Sequence, residues 1–343
     1  MSLRHEWDNR KSHHHRELIA APVTTRDNKS THAQIRNAIS TTYQMKKTLV
    51  YVLLALTAIV WGISFIMTKE LFTTEEHITV LIILTFRLLL ASVVTIPFLL
   101  LAHKLEPIGK GDLKWFLILA LLEPFIYSIC ETNGVRLVSG SMSSIVVATI
   151  PLFVPFGMAA AYKEKIRGVT LVGIVMSLIG LGIMLLFGGE NNLDMNPGGI
   201  TWLFGAVITA VIYTIVLVKL VGRYKPFTIT AYQNLFGCLY FIPLMLLMDG
   251  SHLPLLSYSP KMILLLAILG IFCSTLAYIC YNIGVERLGA TAACIFTNAI
   301  PVFSLIAAIL LGQESLTWTK PIGIVIVISG VIIAQIPPKA KTR

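Results

Sequence analysis

The fold is decided by residues 130–164, CETNGVRLVSGSMSSIVVATIPLFVPFGMAAAYKE, because they return 150 positions later as residues 280–314, CYNIGVERLGATAACIFTNAIPVFSLIAAILLGQE. The two stretches align without a gap. They share a Cys, a Gly-Val pair, an Ile-Pro-x-Phe sequence and a Glu at matching positions, and the same spacing continues to two glycines beyond each stretch. The chain is therefore a tandem repeat, and each repeat is one structural unit.

The earlier parts of the two repeats correspond with small changes of offset. Most matched positions carry the same or a similar residue in both halves, but the charged Arg87 is replaced by the amide Gln233. The matched positions are Thr57 and Thr209, Trp61 and Tyr213, Arg87 and Gln233, and Pro97 and Pro243.

The composition places both repeats in a membrane. Of the 343 residues, 56% are hydrophobic and 13% are charged, whereas a soluble domain carries about a quarter charged residues. A helix needs about 20 apolar residues to cross the hydrocarbon core, and ten segments of the chain reach that length. These predicted spans are Thr48 to Met67, Ile78 to Leu101, Leu113 to Thr132, Ser143 to Tyr162, Val169 to Phe187, Ile200 to Leu220, Thr228 to Met248, Met262 to Asn282, Ala290 to Leu311 and Trp318 to Ile336.

The distribution of Lys and Arg predicts the orientation of these spans. Cationic loops stay in the cytoplasm, and most of the Lys and Arg residues lie in alternate loops, whereas the intervening loops include the acidic run 73–76. We therefore predict that both termini are cytoplasmic. Five helices per repeat is an odd number, so equivalent helices run in opposite directions. The predicted fold class is an all-α integral membrane protein with ten transmembrane helices arranged as two inverted five-helix repeats.

Short motifs in the first repeat carry a family resemblance. They are Trp61-Gly62-Ile63-Ser64-Phe65 in the first span, Arg87 in the second, the Ser-rich fourth span with Pro151, and Glu164 followed by glycines in the fifth. In this order, over two gapless repeats, the sequence resembles the EamA branch of the drug/metabolite transporter superfamily. The resemblance implies a permease in the inner membrane of a bacterium, usually an exporter of amino acids or other small metabolites.

Three regions are expected along the chain. Residues 1–44 are polar, contain a His triplet and show no helical periodicity, so they are predicted to be a disordered tail. Residues 45–190 and 198–337 form the first and second EamA-like five-helix repeats. The expected partners are a small-molecule substrate and the lipid bilayer, with proton coupling as one possibility.

Other functional classes are disfavoured by the sequence. The excess of 27 Lys and Arg over 17 Asp and Glu follows the loops between spans, and no nucleic-acid-binding module accompanies it. The five cysteines fall inside spans without a paired motif, so neither a metal nor another cofactor is expected. No predicted span contains a His, and no hydrolase or phosphate-binding motif occurs, which argues against an enzyme.

Glu123 is the most informative polar residue inside a span. A carboxylate in mid-membrane costs about 2.5 to 3.5 kcal/mol, so it must be protonated, hydrated or paired. Arg87 lies at the same predicted depth, nine residues from the outer end of its own span, and is the candidate partner. Two interpretations stay open: an ion pair that only holds helices together, or a carboxyl group that binds substrate or a proton.

Aromatic and amide side chains complete the predicted cavity between the repeats. Such side chains face the bundle interior when they lie inside a span, and the repeat pairs their helices with each other. Two alternatives to a coupled exporter stay open on the same fold, a downhill channel and a lipid or head-group flippase. The candidate site residues are Trp61, Arg87, Glu123, Tyr127, Tyr213, Tyr278 and Asn298.

Overall fold

The computed structural model of the chain describes residues 28–163, 166, 168–187, 196–313 and 318–334. Within these residues the secondary structure is helical and no strand is formed. The chain divides into two compact units, residues 1–49 and 50–343. The repeated acids Glu164 and Glu314 lie outside the described residues.

The helices of the two halves correspond one to one, so each helix of the first half has its equivalent seven numbers later. The first half consists of α1 (Asn28–Thr74), α2 (Val80–Leu101), α3 (Leu113–Ala120), α4 (Tyr127–Leu137), α5 (Gly140–Val147), α6 (Ile150–Tyr162) and α7 (Gly168–Phe187). The second half consists of α8 (Pro197–Leu220), α9 (Pro226–Met248), α10 (Pro260–Ile268), α11 (Ala277–Leu288), α12 (Ala290–Ile295), α13 (Ile300–Leu310) and α14 (Thr319–Ala334).

The first helix, α1, begins at Asn28, inside the segment expected to be a tail. The disorder expected of residues 1–44 stays a prediction.

Within the part of the chain that the structure describes, seven helical segments are long and apolar enough to cross a membrane. Three of the ten predicted spans are not among them. The fifth corresponds to α7, the ninth is interrupted and contains a shorter apolar helix, Phe296–Leu310, and the tenth contains a shorter one, Pro321–Gly330. The seven segments are Thr48–Thr74, Val80–Leu101, Leu113–Leu137, Gly140–Ala161, Pro197–Leu220, Pro226–Met248 and Pro260–Leu288.

Two wide turns interrupt equivalent helices. A π-helical turn, Leu121–Ile126, joins α3 to α4, and a second one, Leu269–Leu276, joins α10 to α11. Pro124 has no backbone N–H to donate, so the first turn cannot continue the α-helical ladder. Wide turns free backbone carbonyl groups, which inside a membrane need other donors. In the second turn Trp61 Nε1 donates to Cys273 O at 3.2 Å.

The fourth and ninth predicted spans are broken at matching places. Residues 148–149 separate α5 from α6, and a 3₁₀ turn, Phe296–Ala299, separates α12 from α13. Each following helix carries its proline, Pro151 or Pro301, in the first turn, where a missing N–H costs least. The sequence repeat is therefore also a repeat of local backbone interruptions.

The two halves interlock, since the first helix of each half packs into the other half. Thr57 of α1 donates to Ala277 O of α11 at 3.3 Å. Leu203 and Val207 of α8 are buried in one apolar cluster with Val135 of α4 and Ile145 of α5. Neither half therefore buries its own first helix alone.

Two pairs of equivalent helices pack antiparallel. The start of α2 meets the end of α9 through Thr79 and Asp249, whose side-chain oxygens are 2.5 Å apart, and further along Ser92 Oγ lies 3.4 Å from Cys238 Sγ. The chain after α2 then meets the start of α9, where Glu106 N donates to Thr228 Oγ1 at 3.2 Å. Along this contact the residue numbers rise on α2 while they fall on α9, so the two helices run in opposite directions.

The pair α7 and α14 shows the same relation. Ser177 Oγ donates to Val327 O at 2.9 Å. A Cβ at Gly180 would lie 2.9 Å from Val327 N, and one at Gly330 would lie 2.6 Å from Gly173 O. These glycines are equivalent in the repeat, so the interface is self-complementary, as in a two-fold dimer.

Polar contacts tie the loops together at both ends of the helix bundle. At one end Glu70 contacts Lys261 and Gln313, each at 2.5 Å, and the buried carboxylate of Glu75 accepts hydrogen bonds from Ser257 and Ser259. At the other end three residues of the α8–α9 loop bind carboxylates of the α2–α3 loop. The contacts there are Arg223 to Asp112, Tyr224 to Asp112 and Lys225 N to Glu106.

Candidate functional site

A cavity with an empty volume of about 720 Å³, part of it open to the surroundings, lies between the two halves. Helices of both halves contribute to its wall, and most of the lining is apolar or aromatic. The lining residues are Trp61, Ser64, Phe65, Arg87, Glu123, Tyr127, Glu131, Val147, Ile150, Ala210, Tyr213, Thr214, Tyr278, Tyr281, Cys294, Thr297 and Ile300.

The helix breaks contribute equivalent residues from the two repeats. Val147, the last residue of α5, matches Thr297 in the 3₁₀ turn after α12, and Ile150 and Ile300 begin the helices that follow. Each member of these pairs lines the cavity. The cavity therefore lies where the two repeats meet through corresponding backbone features.

Glu123 lies in the wide turn between α3 and α4, with extended backbone angles (φ −139°, ψ 118°). It is 5% exposed. Its Oε1 accepts a hydrogen bond from Tyr278 OH at 2.5 Å. Its Oε2 accepts none of standard geometry, although the Ser128 hydroxyl lies close to the carboxyl group. The cavity therefore contains one buried carboxyl oxygen with acceptor capacity left.

The expected ion pair between Glu123 and Arg87 is not formed, as no ion pair between them is present among the described residues. Arg87 Nε donates instead to Ser274 Oγ, in the wide turn between α10 and α11. Asn234 Nδ2 donates to Ser274 O at 3.2 Å and fixes that turn. Arg87 stays within electrostatic range of Glu123 and Glu131. Its hydrogen-bond partner is a neutral hydroxyl group.

Glu131 forms a second carboxyl–tyrosine pair in the same wall. Tyr127 OH, one turn earlier on α4, donates to Glu131 Oε1 at 2.7 Å. Both side chains are partly exposed and line the cavity. The four-residue spacing of Glu123, Tyr127 and Glu131 thus brings three polar groups to one side of α4 and the turn before it.

Aromatic rings form a further part of the cavity lining. The Trp61 ring packs edge-on against Tyr278, with centroids 5.1 Å apart, and lies 5.4 Å from the ring of Tyr281. Tyr281 OH contacts Cys294 Sγ at 3.0 Å, and Tyr213 OH donates to Gln233 Oε1 at 3.4 Å. These hydroxyl groups are held by neutral partners, so the ring faces and edges are the surfaces left for a ligand.

Asn298 is the expected site residue that the structure separates from the others. It lies in the 3₁₀ turn before α13, is 4% exposed, and does not belong to the cavity lining. In the described part of the chain neither its amide nitrogen nor its amide oxygen has a hydrogen-bond partner. The other six expected residues lie around one cavity.

Several residues of the site have no sequence signal that singles them out. Ser274, which holds Arg87, lies in a wide turn that the apolar run 262–282 does not reveal. Thr214 and Cys294 are ordinary small residues of membrane helices. A signal did exist for Thr297, since it is the repeat equivalent of Val147 and lies beside the repeated Ile-Pro. Within the described residues no group of three or more His, Cys, Asp or Glu side chains is arranged to hold a metal ion.

The charges of the cavity are divided unequally between the repeats. Among the described residues of the lining, the charged ones are Arg87, Glu123 and Glu131, and all three belong to the first half. In the second half Arg87 corresponds to Gln233 and Glu131 to Tyr281, and the wide turn equivalent to that of Glu123, Leu269–Leu276, contains no charged residue. The site therefore combines a charged wall with a neutral, aromatic wall.

Comparison with known proteins gives relatives of similar length. "Uncharacterized transporter YetK" of Bacillus subtilis is 29% identical over 296 residues, covering 84% of this chain and 87% of the relative. An "Uncharacterized transporter" of Archaeoglobus fulgidus is 26% identical over 292 residues, covering 84% and 98%. "Uncharacterized inner membrane transporter YicL" of Salmonella typhimurium is 21% identical over 301 residues, covering 87% and 98%.

The fold is also that of a known crystal structure. It matches with a TM-score of 0.60 and 16% identity, over 81% of this chain and 97% of the other chain, a likeness that concerns the fold alone. The EamA-like transporter family model matches residues 48–186 and again residues 197–335. These two matches span the two repeats, include the cavity between them, and show that the chain belongs to the EamA-like transporter family.

Proposed function

We propose that this chain moves small organic metabolites, such as amino acids, out of a bacterial cell across the inner membrane, by exposing the cavity alternately to the two sides. The observation that carries the proposal is the lining of one cavity by equivalent residues of both repeats at matching helix breaks. In repeat-built transporters the substrate binds at the repeat interface, near the bilayer midplane, beside discontinuous helices.

The proposed architecture is ten transmembrane helices in two inverted halves, with repeats at residues 45–190 and 198–337. Antiparallel contacts support it, because α2 packs against its equivalent α9, and α7 packs against its equivalent α14. Equivalent helices that run in opposite directions are expected of halves related by a two-fold axis in the membrane plane. The charge distribution of the loops supports cytoplasmic termini.

Topology is tested by labelling single cysteines from outside the cell. We expect a membrane-impermeant reagent to reach a cysteine at the exposed position Glu76 and not one at the exposed position Lys110. Permeabilised cells, in which both positions react, provide the control. Labelling of position 110 alone in intact cells contradicts the orientation.

Alternating access requires the walls of the cavity to separate on one side at a time. The polar contacts at the two ends of the bundle are suited to this role, since they join loops of opposite halves through exposed or half-exposed ion pairs. Exposed ion pairs contribute about 1 kcal/mol or less, so they break and re-form readily. If the cavity held a lipid head group, the same fold would act as a flippase. If the cavity opened to both sides at once, it would act as a channel.

Glu123 is proposed to take part in the transport cycle. Its hydrogen bond comes from Tyr278 of the opposite half, and Arg87 is held by Ser274. A carboxyl group without an ion-pair partner in a cavity is free to exchange Tyr278 for a proton or for a substrate group. This favours the functional interpretation of Glu123 over a purely structural ion pair.

The deciding experiment is a transport screen with the purified full chain in proteoliposomes and in everted membrane vesicles. A mixture of labelled metabolites is offered with and without an imposed pH gradient. We expect at least one compound to accumulate above its outside concentration, and a protonophore to abolish the accumulation if protons are the coupling ion. Equilibration without accumulation indicates a channel, and movement of labelled lipid indicates a flippase.

A further inference from the structure

The cavity has a chemical preference that its charges and rings define, and this inference rests on the proposed transport function of the same site. Its charged lining residues are two carboxyl groups and one guanidinium group. The charge that a ligand can bind depends on which of these three groups is already paired within the protein. The hydrogen bonds of the three groups show this.

Arg87 is held at the side of the cavity by the second half. Its Nε donates to Ser274 Oγ, and both residues are buried. The turn that carries Ser274 is fixed in turn by Asn234, whose amide donates to the carbonyl group of Ser274 and lies 3.3 Å from Thr275 Oγ1. Ser274 thus positions the guanidinium group away from an ion pair with Glu123.

Glu123 keeps acceptor capacity as a result. Tyr278 supplies one hydrogen bond to Oε1, and Oε2 accepts none of standard geometry. Glu131 likewise receives its one side-chain hydrogen bond from a tyrosine, Tyr127. Tyrosine hydroxyl groups satisfy a carboxylate oxygen without neutralising its charge. Among the described residues none of the three charged groups has an ion-pair partner, so the two carboxyl groups outnumber the single guanidinium group, which Ser274 holds in place.

Aromatic rings surround these carboxyl groups. Tyr278 connects the two features, because its hydroxyl group binds Glu123 while its ring packs against Trp61. The negative faces of aromatic rings attract cations, by about 2 kcal/mol or more when the cation is desolvated. A wall of this kind favours a positively charged ligand with an apolar body.

The helix breaks do not provide a compensating site for an anion. A helix N-terminus carries about half a positive charge and a C-terminus about half a negative one. At residues 148–149 the end of α5 and the start of α6 are adjacent, and the 3₁₀ turn brings the end of α12 close to the start of α13. The opposite end charges at each break therefore offset one another.

We infer that, among the small organic metabolites of the proposed function, the cavity selects organic cations, specifically amines with an aromatic or apolar body. Zwitterions of the same shape, amino acids included, and anions bind less tightly. The ammonium group is placed against Glu123 and Glu131, and the body is placed against Trp61 and the tyrosines. Ser274 is a positioning residue, since it acts by restraining Arg87.

Three probes with the same aromatic body and different charge test the selection: phenethylamine, phenylalanine and 3-phenylpropionate. Their binding to the purified full chain is measured by titration calorimetry at neutral pH. We expect phenethylamine to bind at least about tenfold more tightly than the other two, a difference of about 1.4 kcal/mol. Equal or tighter binding of phenylalanine or 3-phenylpropionate overturns the inference, and so does the absence of any phenethylamine binding.

Variants locate the preference in the cavity. Glu123→Gln should weaken phenethylamine binding at least tenfold, whereas Glu76→Gln, at an exposed loop position, should leave it unchanged. Equal effects of the two variants would contradict the site. Circular dichroism and thermal unfolding establish that each variant is folded.

The positioning role of Ser274 has its own test. Ser274→Ala should weaken phenethylamine binding, because the released guanidinium group approaches Glu123, and adding Arg87→Gln to it should restore binding. Ser92→Ala, at a buried serine that contacts Cys238 instead, is the matched control. A merely structural role predicts no recovery in the double variant, and that result would remove Ser274 from the inference.

Failure of the inference differs from failure of the transport proposal. Accumulation of phenylalanine or 3-phenylpropionate in proteoliposomes, with no preference for phenethylamine, overturns the cation preference and leaves transport intact. Tight phenethylamine binding without flux of any probe or screened metabolite leaves the preference intact and overturns transport.

Discussion

The two halves of the molecule have the same architecture and different cavity chemistry. Gly180 and Gly330 make equivalent close contacts, and Ile150 and Ile300 begin equivalent helices at the cavity. By contrast, Glu131 of the first half corresponds to Tyr281 of the second. Apolar positions that pack the helices or begin them at the cavity have thus stayed alike, whereas charged positions of the cavity in the first half are neutral in the second.

The largest expected effect concerns Glu123, compared with Cys273, which lies in the corresponding wide turn of the second half. We expect Glu123→Gln to fold and to reduce transport to the background of protein-free liposomes, because an amide cannot accept a proton or balance a cation. Cys273→Ala should keep transport, since the thiol packs as a small apolar group. Flux in proteoliposomes is measured at several pH values for both variants.

Folding is checked for both variants by thermal unfolding in detergent. Flux of Glu123→Gln at the wild-type level across the pH range removes this carboxyl group from the mechanism. A large loss in Cys273→Ala, with Glu123→Gln unaffected, would reverse the proposed division of roles between the halves.

The second prediction exchanges charge between the equivalent positions 87 and 233. Gln233 is 2% exposed and contacts the neutral Tyr213, so Gln233→Arg buries a charge without an opposite partner and should destabilise the protein by about 3 kcal/mol. Arg87→Gln should be tolerated, with a loss of about 1 kcal/mol for the hydrogen bond to Ser274. Expression level and unfolding temperature compare the two. Similar tolerance of both changes would show that the halves are also alike in their electrostatics.

The third prediction concerns the interface where the halves are most alike. A Cβ at position 330 meets backbone atoms at 2.6 Å, and one at position 180 meets Val327 N at 2.9 Å. Overpacking of this kind costs about 1 to 3 kcal/mol, so Gly330→Ala should destabilise more than Gly180→Ala. Gly168→Ala, where the added Cβ meets nothing within 4 Å, is the control. Unchanged unfolding temperatures for both interface variants would contradict the close antiparallel packing.

The smallest expected effect lies outside the membrane, at Glu75. Hydrogen bonds from Ser257 and Ser259 lower the pKa of this carboxyl group below its ordinary value. Because the pKa of Glu75 is lower in the folded state than in the unfolded state, its charge stabilises the fold at pH values above the unfolded pKa of about 4.3. This stabilisation is lost as the pH falls through the folded-state pKa. Glu75→Gln should therefore lower the unfolding temperature by a few degrees at pH 7 and by less at pH 4. A constant difference between the two pH values would show that the charge of Glu75 does not contribute.

The sequence predicted the repeat, the helical membrane class and the family, and each is confirmed by the family matches and the helical structure. These features depend on composition and on spacing over many residues, so an error in the bounds of one helix does not change them. The count of ten spans stays a prediction, because the ninth span is broken at the turn before Pro301 and falls below the length of a spanning helix.

Side-chain partners were less predictable than helices. Equal depth suggested that Arg87 pairs with Glu123, but depth does not fix the rotation of a helix or the width of a turn. The wide turn 269–276 brings Ser274 to Arg87, and its one glycine, Gly270, does not distinguish a wide turn from a close helix contact in an apolar run. Asn298 was expected in the cavity from its neighbours, and its side chain lies elsewhere because the 3₁₀ turn changes the direction of successive residues.

The glycine contact between α7 and α14 has a consequence for biosynthesis. Since α14 follows every other described helix in the chain, it is translated after all of them, and α7 is complete before its partner exists. A chain interrupted before α14 therefore leaves the close-contact surface around Gly180 uncovered. The interface that is most alike in the two halves is thus also one that forms late in synthesis.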